Sequence, residues 1–248
     1  MSFLRAALLV LTLFGCGMAP RRIDEVVVCD RSTSASCDEG AVRALATEFL
    51  SSSPPPDSTF EVLATGCGVQ DVDLVFRIEI PSRWGAGVAR KRRAFADAER
   101  ARLDALMLPG LRRRCSAIAA AVWKAGRLLA ERSSGDKRLT VVSDMREASR
   151  DLGVNFESRL PAPKDFVARL RAHDLLADLS QVRVVAFGVH DRATPDSPKW
   201  TATQSRRLAE VWDVAFAAMG ANHVRLREEY AGAFDGTGGG DHKNGGTP

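Results

Sequence analysis

Four runs of apolar, mostly β-branched residues recur along this chain with helical segments between them: 23–29 (IDEVVVC), 59–64 (TFEVLA), 138–143 (RLTVVS) and 182–189 (VRVVAFGV). Their apolar residues are consecutive rather than alternating, the pattern of strands covered on both faces. Residues 38–50, 115–131, 164–176 and 201–219 carry helical periodicity and can cross from one parallel strand to the next. A further run at 72–80 (VDLVFRIEI) follows 59–64 after only the seven residues 65–71. That is too short for a crossover helix, so these two strands are expected to pair antiparallel at a sheet edge. A charged helix is expected at 88–106, before the break at Pro109-Gly110. The pattern predicts an α/β fold: a doubly wound, mostly parallel sheet with helices on both faces and one antiparallel edge strand.

At 248 residues, with 45% apolar and 27% charged side chains, the chain suits one such domain. Ahead of it, Arg5 and the apolar stretch 6–14 form a segment too short to span a bilayer and suited to a secretory signal. Leu13-Phe14-Gly15-Cys16 resembles a bacterial lipobox, which implies cleavage before Cys16 and lipidation of its thiol. Gly17 is not the aspartate that holds many lipoproteins at the inner membrane. The expected organisation is a signal peptide at 1–15, a lipidated tether at 16–22, a folded domain at 23–231 and a flexible glycine-rich tail at 232–248. The expected location is the cell membrane or outer membrane, lipid-anchored, on the periplasmic face.

The excess of 35 Lys and Arg over 31 Asp and Glu is too small to demand a nucleic-acid partner, and none is expected. The basic runs at 90–93 and 112–114 read first as solvated helix faces, with anionic lipid or polyanions as the alternative. His173, His190, His223 and His242 are scattered without ligand spacing, and no CxxC pattern occurs.

In doubly wound folds, ligands sit beyond the carboxyl ends of the parallel strands. Two of the apolar runs stop there on an aspartate: Asp30 after VVVC and Asp144 after TVVS. Asp30 is followed by Ser32 and Ser34, hydroxyls on alternate residues. Two readings fit this stretch. Asp30 and the serines can cap the following helix, or they can form an all-oxygen site for a hard cation that keeps several of its waters.

The strand followed by Asp30-x-Ser32-x-Ser34, together with the order of elements over 23–220, resembles the metal-ion-dependent adhesion site of the von Willebrand factor A (VWA) family. The resemblance implies Mg²⁺, with Mn²⁺ or Ca²⁺ as substitutes, held by Asp30, Ser32 and Ser34. Ser116 stands where the family has a threonine, and Asp144 matches its later aspartate, although Met145 replaces the usual glycine. It further implies binding of a partner protein that presents an acidic residue. A Cys37–Cys67 bridge is expected to brace the loop, with Cys29 as a small buried apolar residue. The alternative function is a metal-independent assembly module of an envelope or secretion complex.

No enzyme is expected. A phosphotransferase of the haloacid dehalogenase type begins with the same strand and aspartate but needs an acid/base group two residues on, where Ser32 stands. No GxSxG, HExxH, Walker A or GxGxxG pattern occurs.

Overall fold

The computed structural model describes residues 21–32, 37, 39–106, 115–133, 135–188, 200–221 and 223–227. The signal segment, Cys16, Ser34 and the glycine-rich tail lie outside them.

Six strands form one sheet: β1 (Ile23–Cys29), β2 (Thr59–Ala64), β3 (Asp73–Glu79), β4 (Asp136–Val142), β7 (Val182–Phe187) and β8 (His223–Arg227), in the order β3-β2-β1-β4-β7-β8. All neighbours are parallel except β2 and β3, the expected antiparallel edge pair. Two-residue strands β5 (Ala148–Ser149) and β6 (Val154–Asn155) make a separate ribbon. The helices are α1 (Glu39–Ser51), α2 (Val88–Asp104), α3 (Ile118–Ala130), α4 (Pro163–Ala172) and α5 (Ala202–Ala218).

Successive strand residues point to opposite faces, and both faces are covered. Val26 and Val28 pack with α3, α4 and α5, around Ile118, Phe166 and Trp212. Val27 and Cys29 pack with α1 and α2, through Val42, Phe49 and Leu103. That is why VVVC contains no polar position. The result is the expected doubly wound, mostly parallel α/β fold with helices on both faces and one antiparallel edge pair.

Three expectations change. The 182–189 strand is not the last, because β8 pairs parallel to β7. Its sequence, HVRLR, half-buries Val224 and Leu226 and exposes Arg225, as suits an edge strand with one solvated side. α4 ends at Ala172 rather than 176, where Asp174 takes a φ of 55° and the Leu175 N–H bonds the Leu170 carbonyl at 2.8 Å. The Cys37–Cys67 bridge does not form. The disulfides are Cys29–Cys37 and Cys67–Cys115, with Cα atoms 5.4 and 5.0 Å apart. Cys29, at the strand end, reaches back across the loop that carries Ser32. Cys67 lies instead beside the loop before α3, where the Gly66 carbonyl accepts the Ala117 N–H at 2.8 Å. A Cβ on Gly66 would stand 2.2 Å from that of Asp71, so only glycine permits this close turn.

Candidate functional site

Register brings the site together. Cys29 lies opposite both Ala64 and Val142 in the parallel ladders. The pairing continues for one more residue: Asp30 N–H bonds the Val142 carbonyl, and Thr65 N–H the Cys29 carbonyl, each at 3.0 Å. Asp30, Thr65 and Ser143 are therefore neighbours at the carboxyl edge of β1, β2 and β4.

Asp30 is fully buried and its carboxylate is the hub. Oδ1 accepts the Ser32 N–H at 2.9 Å, the Ser116 hydroxyl at 2.7 Å and the Thr65 hydroxyl at 3.1 Å. Oδ2 accepts the Ser143 hydroxyl at 2.5 Å. Two of these hydroxyls are themselves held by the backbone. Arg31 N–H donates to Thr65 Oγ1 at 3.1 Å, and Met145 N–H to Ser143 Oγ at 2.8 Å. Ser116 is held by its main chain, which exchanges two bonds with Ala148. A buried carboxylate with this many donors is stabilised in place, since hydrogen bonds to a charged group are worth about 1.5–3 kcal/mol each.

Both disulfides bound this cluster. Cys29–Cys37 closes the loop containing Ser32, and Cys67–Cys115 ties the loop after β2 to the residue preceding Ser116. The helix-cap reading of Asp30 fails on distance along the chain, because α1 begins only at Glu39 and the one main-chain N–H that Asp30 accepts from the following loop is that of Ser32.

Asp144 is buried beside the hub. Its Oδ1 accepts the Arg146 N–H at 3.0 Å, and its Oδ2 lies 3.7 Å from Arg146 Nε. The Arg146 guanidinium is buried, stacks 4.5 Å above the Trp200 ring and approaches Glu157 at 3.9 Å. Beyond it opens a cleft of about 690 Å³ lined by Asn155, Arg159, Arg169 and Arg207 among others. Met145 takes a φ of 63°, a conformation that costs a side-chain-bearing residue about 1–2 kcal/mol. Its carbonyl accepts the Trp212 Nε1–H at 2.7 Å, which pins the turn.

The structure thus brings Asp30, Ser32 and Ser116 into direct contact and places Asp144 one residue beyond the hub's Ser143. Thr65, Arg146 and Glu147 escaped the sequence reading, and Ser143, which sequence offers only as a nucleophile with no histidine placed beside it, was not assigned to this site. For Thr65 and Ser143 the available signal was position, since each directly follows a strand. Among the described residues no three histidine, cysteine or acidic side chains form a metal cage, and no helix is long and apolar enough to cross a membrane.

Glu147 is fully buried at the start of α3, where Oε2 accepts the Ala119 N–H at 2.9 Å. Burial, reinforced by the nearby Asp30 charge, pushes its pKa up to about 8. Glu25, buried in β1, is raised to about 7 by the same desolvation, against the pull of Arg138. In the unfolded chain both titrate near 4.5. Over that interval the unfolded state loses protons that the folded state keeps, so stability is full below pH 4.5 and falls as pH rises through 7 to 8. Thermal unfolding is expected to shift down by roughly 15 °C between pH 5 and pH 8, an order-of-magnitude 6 kcal/mol for the two groups together. Glu147→Gln should remove about half of that slope. An unchanged slope would place the titration elsewhere.

No protein-family model matches the chain, and no curated protein matches it in sequence. Solved structures match over most of its length. BatB from Bacteroides thetaiotaomicron is 10% identical with a TM-score of 0.39, over 84% of this chain and 91% of that one. The SpRpn10 VWA domain is 8% identical with a TM-score of 0.40, over 84% and 89%. The pilus adhesin SpaC from Lactobacillus rhamnosus GG is 12% identical with a TM-score of 0.46, over 84% of this chain but 28% of the adhesin. At such TM-scores the fold assignment rests on this chain's own strand order and register.

Proposed function

We propose that this protein is an envelope-anchored lipoprotein, lipidated at Cys16, whose VWA-like domain binds an acidic partner protein through a divalent cation at the Asp30 edge. The observation that carries the reading is the Asp30 hub. Two serine hydroxyls, one threonine hydroxyl and a main-chain N–H from four segments converge on one buried carboxylate at the ligand edge of the sheet. A helix cap needs no such convergence.

The donors suit a hard cation. Asp30, Ser32, Ser116 and Asp144 offer oxygen only, and Ser34, which lies outside the described residues, would add a further hydroxyl. These five residues would hold Mg²⁺, or Mn²⁺ or Ca²⁺ in its place. A bound Mg²⁺ would offer a coordination position to a glutamate or aspartate of the partner. Thr65 and Ser143 orient the Asp30 carboxylate, and Arg31 N–H and Met145 N–H fix those hydroxyls in turn. No bond is made or broken in this function.

The deciding experiment is calorimetric titration of Mg²⁺ and Mn²⁺ into the chain from Gly17 onward, beside Asp30→Asn, which keeps the side-chain shape. Heat in the parent that vanishes in the variant is the expected result. Silence in both would favour the second reading, a metal-independent assembly module. One observation already leans that way: the buried Arg146 guanidinium places a positive charge against Asp144.

A further inference from the structure

Between Glu79 and Asp97 the chain carries Arg83, Arg90, Lys91, Arg92 and Arg93 and no acidic residue. Arg83, Arg90, Lys91 and Arg93 are exposed. Arg92 stacks 5.8 Å over Trp84, whose ring meets Phe95 edge-on at 5.6 Å, and Lys91 Nζ donates to the Trp84 carbonyl at 2.8 Å. Val88, at the first turn of α2, is 43% exposed. Five cations thus share one short segment with a half-buried indole and an exposed valine, the composition of a surface that sits at a lipid headgroup layer.

Topology places this patch. β3 runs antiparallel to the other strands, so its end returns to the edge where β1 begins. Ser58 joins the two. Its hydroxyl accepts the Ile23 N–H at 3.0 Å and its carbonyl the Ile80 N–H at 2.9 Å. The basic segment therefore leaves the sheet beside the point where the chain enters it, at the edge opposite Asp30. From Cys16 to Arg21 the chain can extend at most about 18 Å.

We infer that this edge docks on an anionic phospholipid surface, so that the basic start of α2 faces the bilayer and the Asp30 edge is held outward. The inference takes the amino-terminal anchor from the reading above but needs nothing of the metal site. The charge matches phosphatidylglycerol or cardiolipin headgroups. A cation close to such a surface adds about fivefold in affinity, and the effect fades within about 8 Å at physiological salt. A short tether would hold the patch at that range.

The test is co-sedimentation of the chain from Gly17 onward, which retains every described element, with vesicles in EDTA. Vesicles of phosphatidylcholine alone are compared with vesicles containing a quarter phosphatidylglycerol. The parent is expected to bind only the anionic vesicles and to release in high salt. Arg83→Gln, Arg90→Gln and Arg93→Gln together should cut binding by about a hundredfold, with unchanged thermal unfolding. Arg169→Gln with Arg207→Gln, on the cleft near Asp144, should leave it intact. Absence of binding to anionic vesicles, or equal loss in both variants, would overturn the inference. So would a triple variant that loses heparin or RNA binding while the parent ignores vesicles, because the patch would then serve a polyanion. Asp30→Asn should bind vesicles like the parent, so failure of the metal reading and failure of this one are separable.

Discussion

Replacing Cys67 and Cys115 together by serine is expected to lower the stability of the domain by about 4 kcal/mol. The two residues are 48 apart in sequence, and closing a loop of that length removes this much freedom from the unfolded chain. The native state loses support as well, because this bridge holds the loop before α3 against the turn after β2. The corresponding Cys29→Ser, Cys37→Ser pair closes only 8 residues and should cost about 2.5 kcal/mol. Urea unfolding of both double variants measures the difference. Peptide mapping without reductant tests the pairing directly, and a Cys37–Cys67 fragment would refute it.

Asp30→Ala is expected to cost about 4 kcal/mol, more than an ordinary buried truncation of its size. The variant removes one acceptor group and leaves four donors in a fully buried place: the Ser32 N–H and the hydroxyls of Thr65, Ser116 and Ser143. Each unmet donor costs about 1–3 kcal/mol, and the total stays below the sum because hydroxyls can turn towards one another. Removal of the Asp30 charge also relieves Glu147, whose proton affinity that charge raises. The pH slope of stability should flatten in the same variant. Chemical unfolding at pH 5 and pH 8 reads both effects. An Asp30→Ala protein as stable as the parent would show that the hub is not what holds these loops.

Sequence patterning reached most of the fold for a specific reason. Parallel strands buried on two faces leave runs such as VVVC and RLTVV that no other element writes, and the short 65–71 turn leaves an antiparallel partner as the only choice for β3. It missed β8 because HVRLR buries one face only, and alternate arginines look like solvated loop. It placed Asp30 and Asp144 at the ligand edge because both follow strands. It missed Thr65 and Ser143, equally at strand ends, because a lone hydroxyl after a strand carries no signal until the register of the neighbouring strand is known.

The disulfides divide the two levels most clearly. Four cysteines beyond Cys16 allow three complete pairings, and local sequence cannot rank them, because pairing depends on which loops the sheet brings within 5 or 6 Å. The sequence by itself determined the kind of fold, the edge at which chemistry could gather and the aspartate at its centre, since these follow from local periodicity and from strand ends. The tertiary structure alone decided which hydroxyls meet that aspartate, that Glu147 is buried beside its charge, that Arg146 lies against Asp144 and that the basic start of α2 shares an edge with the entering chain. Those outcomes depend on strand order and on contacts between residues up to 113 positions apart, which no window of sequence contains.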